Sequence, residues 1–425
     1  MSKDISARLG ENLKKRENEL VDFTSKLIRF DTSNPPGYTD EILHFIHEHL
    51  YEIPGVTIEQ FEKIDRKPGL IASLDCGDGP TVVLLGHLDV VPVDEENWSF
   101  PAFEGFVEDG YIHGRGTSDM KGGVAALIFA FEELAKFKDE LSGTIKLILV
   151  PDEETDGEAG IEYLNDRSDD PLNCDACLIG EPSTSHHPTI GQKGTFWMEL
   201  EAVGDSEHGA LHPWVGRNAI MELCQVIDKL SSVTELESET NKRLEKVIEE
   251  TVKHRTRFKK DFDPSTPFRR VSFNPGEIEG GSKINIVPEK AKAEIDMRIP
   301  IGLKMEKVEE FVKDVLKDSF VDMKLIKKSY PNITWPEDDF IQSLVKQIEQ
   351  TLEDRKPVVP VLQYASSDAR IFREKEIPTV QYGPAELEGI HGRDEKVAIK
   401  DLVNSSIIYG KTVMDYLSGE EEDDR

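Results

Sequence analysis

The run TVVLL at 81–85 restricts the fold of this chain more than any other stretch. β-Branched residues and leucine without a polar interruption mark a strand buried on both faces, which requires helices above and below it. Similar short runs lie at 69–74, 145–150 and 176–179. Helical spacing separates them. Residues 20–30 and 42–50 read as helices, and Val124, Leu127, Ile128, Phe131 and Leu134 recur at helical spacing after Gly122-Gly123. Strands alternating with helices imply an α/β fold class, with a mainly parallel mixed sheet flanked by helices.

Near Gly194 the pattern changes. Phe196, Met198, Leu200 and Ala202 alternate with more polar neighbours, and Ala291, Ala293, Ile295 and Met297 alternate with Lys292, Glu294, Asp296 and Arg298. Strict alternation marks a sheet covered on one face, as in a small α+β domain. Its first helix is expected over 218–230, with Ile220, Leu223, Cys224 and Ile227 on one side. From about 335 the α/β pattern returns, with Phe340, Ile341, Leu344, Val345, Ile348 and Leu352 on a helix and a strand at 377–382. The expected organisation is therefore 1–194 and 333–418 forming one domain, 195–332 inserted into it, and an acidic disordered tail at 419–425. The stretch 232–275 reads as an elaboration of the insert without an assigned role.

Charge narrows the function. Lysine and arginine number 51 against 83 acidic residues, a net charge of −32. That balance argues against nucleic acid or an anionic membrane as the main partner. No run of about eighteen apolar residues occurs, so no membrane span is expected. The charged opening MSKDISARLGENLKKREN lacks a signal-peptide pattern, and a cytoplasmic protein is expected. Cys76, Cys174, Cys177 and Cys224 make no secreted disulfide framework; the lone Cys174-x-x-Cys177 pair is read as reduced thiols. His44, His47 and His49 fall on a surface helix and are not read as ligands. The basic KHRTRFKK at 253–260 reads as a solvated helix end.

Polar residues recur just after the expected strands. His87 and Asp89 follow the 81–85 run, Asp152, Glu153 and Glu154 follow IKLILVP, and Glu181 follows ACLIG. Asp119 arrives at the mouth of the helix near Gly123, and His391 lies beyond the last strand. In open α/β sheets, sites form at the carboxyl ends of strands. Two histidines with several carboxylates suit divalent metal, zinc first, with cobalt or manganese open. Five ligands exceed the need of one tetrahedral ion. His87 and Glu181 are assigned to one ion, Glu154 and His391 to a second, and Asp119 as the bridge. Asp89 is then the partner that orients His87. Glu153, adjacent to a ligand but not itself one, is the general base.

The segments GHLDVVP, GYIHGRGTSDMKGG, DEETDGEAG, IGEPS, NIVPEKAKAEIDMR and IHGRDEKV, in this order over about 20–415, resemble the family of acetylornithine deacetylase, succinyl-diaminopimelate desuccinylase, aminoacylase and glutamate carboxypeptidase. The resemblance implies the same ligands, His87, Asp119, Glu154, Glu181 and His391, with Glu153 as base and Asp89 orienting. It also implies a cis peptide at Asp119-Met120. By the same resemblance, the insert is a lid and dimerisation domain, and His208 reaches the partner subunit's active site. The stretch GDSEHGALHPWVGRNAI is one residue longer than the family pattern, which leaves His212 as the competing choice. Asn285 and Arg298 match residues that hold the substrate's free carboxylate, and Arg298 does fall on the polar side of its alternating strand.

The expected function is a dimetal (zinc) amidohydrolase of the deacylase type. It would cleave the amide of an N-acyl amino acid, a small-molecule substrate with a free carboxylate, through a hydroxide shared by the ions, and act as a homodimer. Glu181 in IGEPS resembles the deacylase and desuccinylase branch. Carboxypeptidase or dipeptidase activity is the alternative from the same chemistry, and a catalytically silent metal-binding dimeric scaffold is the remote one.

Overall fold

Val82, Val83, Leu84 and Leu85 are all buried, and their strand's place in the sheet is the reason. In the computed structural model, which describes residues 2–155, 157–254 and 262–418, the strand Thr81–His87 runs parallel to Thr144–Val150 on one side and to Ala176–Ile179 on the other. Thr379–Gln381 continues the parallel set beside Ala176–Ile179. The margins are antiparallel: Pro68–Asp75 pairs with Thr144–Val150, and Val56–Glu62 folds back on Pro68–Asp75. The five-residue link between those last two strands is too short for a parallel crossover, so a hairpin is the only solution.

The helix Lys121–Ala135 follows Asp119 and is buried along nearly its whole length, as expected of a helix apolar on every side. It lies against the sheet on one side and against the helix Ile399–Leu417 on the other. Its first turn comes unusually close to the strand ends. A Cβ on Gly123 would sit 2.0 Å from the carbonyl oxygen of Gly180, and one on Gly86 would sit 2.8 Å from Val124. Only glycine lets the helix mouth, with Asp119 before it, settle directly over the ends of the central strands.

The chain divides into two compact units. The first takes the chain up to Ile190, Thr334–Val361 and the chain from Ser367; the second takes Gly191–Ile333 and Leu362–Ser366. The 362–366 segment corrects the expected assignment of 333–418 to one domain. Leu362 N–H donates to Thr251 Oγ1 (3.0 Å) and Gln192 Nε2 to Ser366 Oγ (3.2 Å), long-range bonds that no local pattern announces. An amino-terminal helix, Ser2–Lys15, adds to the expected elements; Leu9 and Leu13 are buried hydrophobic side chains on it.

The second unit is built on an antiparallel sheet in the order Ser272–Gly280, Lys290–Ile299, Gly194–Val203, Val321–Ser329. Phe196, Met198, Leu200, Ala293, Ile295 and Met297 face the helices Ala219–Ser231 and Met305–Leu316 across a common core. Trp197, Glu199, Lys292, Asp296 and Arg298 take the opposite, polar face, as the alternation requires. The 232–275 stretch contributes the helix Lys242–His254, a short helix at Thr266–Arg269 and the start of the edge strand. No helix among the described residues is long and apolar enough to cross a membrane. The tail at 419–425 and residues 255–260 of the basic stretch lie outside the described residues.

Candidate metal centre

His87 ends its strand with its ring buried. Nδ1 lies 3.0 Å from the Asp89 carbonyl oxygen and 3.3 Å from Asp89 Oδ1, which leaves Nε2 facing two carboxylates. Those are Asp119 Oδ1 at 3.3 Å and Glu181 Oε1 at 3.7 Å. The other oxygen of Asp119 faces a second imidazole: Oδ2 lies 3.2 Å from His391 Nε2. His391 Nε2 is in turn 3.3 Å from Glu154 Oε1, and that buried oxygen has no hydrogen-bond partner of proper geometry. One carboxylate thus stands between two histidines, each flanked by a further carboxylate. The peptide Asp119-Met120 is cis, and His391 adopts a left-handed φ of 55°.

Asp89 is buried completely and organises the neighbouring turn. Oδ1 accepts from the backbone N–H of Glu153 (3.0 Å), and Oδ2 accepts from that of Glu154 (3.1 Å). Asn34, which sequence pattern did not single out, donates from Nδ2 to Asp89 Oδ2 (2.8 Å) and to Thr155 Oγ1 (2.7 Å). Its signal was the turn SNPPG, where a Cβ on Gly37 would already collide with the Asn34 side chain (2.5 Å). Asp368 and Arg370 were also missed. They form a buried ion pair of 3.2 Å, and Asp368 adds to the negative field on Glu153.

Electrostatics tests whether these residues suit metal. Burial, with the charges of Glu181 and Asp368, pushes the Glu153 carboxyl well above its usual range. Burial and the Asp119 charge push Glu181 up to about 8. His391 is raised to about 10 by its contacts with Asp119 and Glu154. Burial alone would raise Asp119, but His391 and His87 together hold it well below the carboxylate range. Glu153, Glu154 and Glu181 are thus held above their usual range in a buried cluster with two imidazoles, and a multivalent cation would relieve that crowding of negative charge. Donor atoms of His87, Asp119 and Glu154, and of His87, Glu153 and Glu181, each fall within 4.8 Å of one another. Nitrogen and oxygen donors in this proportion fit zinc and its neighbours.

The remaining expected residues, His208, Asn285 and Arg298, belong to the second unit. His208 is exposed, its Nδ1 accepting from the backbone N–H of Ala210 (3.2 Å), and the Gly209 N–H donates to the Asn285 carbonyl (2.8 Å). The backbone therefore brings His208 and Asn285 side by side. His212 is half-buried before a cis proline. Arg298 lies on the polar sheet face, 2.8 Å from Asp296 Oδ1 and 3.1 Å from Thr195 Oγ1, with Trp197 beside it. Elsewhere, His49 faces Glu132 at 3.3 Å, and burial pushes the Cys174 thiol up to about 12.

The family and the curated relatives that this chain matches make it a hydrolase of amide or peptide bonds. The chain belongs to peptidase family M20/M25/M40, whose model matches residues 83–415. It is similar to succinyl-diaminopimelate desuccinylases: 26% identical over 407 residues to that of Nitratiruptor sp., covering 94% of this chain and 100% of the relative. To that of Psychromonas ingrahamii it is 31% identical over 337 residues, covering 76% and 80%. Among solved structures, an M20 family metallo-carboxypeptidase from Sulfolobus solfataricus shares the fold, with a TM-score of 0.78 at 21% identity over 94% of this chain and 99% of that one.

Proposed function

We propose that this protein is a two-metal amidohydrolase that removes the acyl group from an N-acyl amino acid, in the manner of the desuccinylases. The observation that carries the reading is the Asp119 carboxylate, one oxygen 3.3 Å from His87 and the other 3.2 Å from His391. His87 with Glu181 and His391 with Glu154 would each hold one divalent ion, zinc first, with Asp119 shared between them. Bound there, the ions would polarise the amide carbonyl and make water a usable nucleophile near neutral pH.

The protein's own groups do the rest. Glu153 is the general base: it accepts the proton of the attacking water and delivers it to the departing nitrogen. Asp89 keeps the His87 ring in one orientation through Nδ1 and holds the backbone of Glu153 and Glu154, so ligand and base cannot exchange places. Arg298 and Asn285 would take the substrate's free carboxylate, and His208 would donate a hydrogen bond to the developing oxyanion across a homodimer. Support for that dimer is the edge strand Ser272–Gly280, exposed along most of its length, with Ile278 and Ile284 open to solvent.

The test is release of primary amine from N-succinyl and N-acetyl amino acids and from simple dipeptides side by side. Zinc-, cobalt- and manganese-loaded protein is compared with a chelated control. Metal-dependent turnover of the acyl amino acids is expected. Turnover of dipeptides alone replaces the deacylase reading with a dipeptidase, and turnover of neither leaves a narrower substrate or the metal-binding scaffold.

A further inference from the structure

Two of the proposed ligands, Asp119 and His391, sit on loops far apart in the chain, and one buried side chain ties those loops together. The Glu395 carboxylate is completely buried. Oε1 accepts from the backbone N–H groups of Ser118 (2.7 Å) and Asp119 (3.0 Å). Oε2 accepts from the N–H of Gly116 (3.0 Å) and from Arg115 Nη1 (2.5 Å). Arg115 then reaches the other loop: Nη2 donates to the carbonyl of Gly392 (2.7 Å), the residue after His391. The backbone repeats the link, since the Gly114 N–H donates to the Glu395 carbonyl (2.9 Å) and Lys396–Ala398 pairs with Tyr111–His113.

We propose that Glu395, with Arg115 as its counter-ion, is a positioning residue: it fixes Asp119 against His391 and so sets the affinity and geometry of the ion held by His391, Glu154 and Asp119. The proposal rests on the two-metal reading above. Glu395 touches neither ion nor substrate; it acts through the peptide N–H of Asp119 and through the loop that carries His391. Four donors converge on its two oxygens, which leaves the carboxylate one orientation. Glutamine has the same shape but cannot serve there. Its amide nitrogen would face either two backbone N–H groups or a guanidinium and an N–H, donor against donor in a buried place. The ion shared by His87, Glu181 and Asp119 depends on this network only through Asp119. The effect therefore falls unequally on the two ions, which a general loss of packing would not produce.

The experiment uses the full chain, unmutated and as Glu395→Gln and Arg115→Lys, with His391→Ala as the reference for losing one ion. Each is stripped of metal, checked for folding by circular dichroism, and titrated with zinc against a chromophoric chelator and with cobalt by visible absorption. Glu395→Gln is expected to bind one ion about 10–100-fold more weakly and the other within about threefold. The cobalt band of the weakened equivalent should change, as it does in His391→Ala. Where activity is measurable, kcat should fall with KM nearly unchanged. Arg115→Lys keeps the charge, loses the bond to Gly392, and should show the same unequal effect in smaller measure. Equal weakening of both ions overturns the proposal. So do unmutated affinities and cobalt spectra in Glu395→Gln, or in Arg115→Lys should the first variant fail to fold. If neither variant folds, Glu395 and Arg115 are structural and the proposal falls. Unmutated protein that binds no ion overturns the two-metal reading itself, and the proposal with it.

Discussion

Glu153 and Glu154 are adjacent carboxylates to which the proposed mechanism gives different duties, and Asp89 holds the backbone of both. By gripping both backbone N–H groups it leaves the Glu154 side chain near His391 and the Glu153 side chain near His87 and Glu181. Glu153→Gln should keep both ions by zinc stoichiometry and lower kcat by about 10²–10⁴-fold, the range for loss of a general acid–base. A variant with near-full activity would remove Glu153 from that role. Cysteine makes a second prediction at this scale. Burial pushes Cys174 up to about 12 and Cys177 up as well, whereas Cys224 is exposed. Alkylation of the native protein near neutral pH should therefore modify Cys224 first and leave Cys177 until unfolding, as mass spectrometry would read. The ligand candidates were legible because His87, Glu154 and Glu181 follow strands, Asp119 precedes a helix and His391 lies beyond the last strand. Asn34, Glu395 and Asp368 were not, because their roles consist of bonds to residues distant in sequence, Glu395 to Ser118 being an example.

Among elements, the helix Lys121–Ala135 and its contact with the strand ends matter most. Its buried residues were legible as an apolar run, and its start was legible from Gly122-Gly123. The contact that requires glycine was not: the obstacle is the carbonyl of Gly180, in a different element. Gly123→Ala should cost about 1–3 kcal/mol or more in denaturant unfolding, because that oxygen is backbone and cannot swing aside. The same substitution should weaken metal binding, since the displaced helix begins immediately after Asp119. The second unit's polar and apolar faces followed from strict alternation. The helix Lys242–His254 did not stand out, because its apolar residues Leu244, Val247 and Ile248 are few within a charged stretch.

For the molecule as a whole, the clustered charge couples stability, pH and metal. Without metal, the folded chain holds Glu181 at about 8, above its ordinary carboxyl range. The folded state then binds a proton that the unfolded state has released, so this group lowers stability as pH rises from about 4.5 towards 8. His391, raised to about 10, acts with the same sign: its favourable contribution is present at low pH and is lost as pH rises through that value. Above about pH 7 the buried Lys121 and Lys193, each held down to about 7, act with the opposite sign. It is therefore from about pH 6 to about pH 7 that the unfolding temperature of chelated protein should fall, and zinc should offset that fall. A chelated protein more stable at about pH 7 than at about pH 6 would contradict the clustered arrangement.

By itself the sequence determined the alternation of strands and helices, the inserted α+β unit, and which histidines and carboxylates follow strand ends, because period and punctuation are local properties of a chain. Tertiary structure alone decided that 362–366 joins the second unit and that Glu395, with Arg115, binds the loop of Asp119 to that of His391. Those facts depend on which distant segments meet. Such meetings are selected by the burial and hydrogen-bond satisfaction of the folded whole, which no window of the sequence contains.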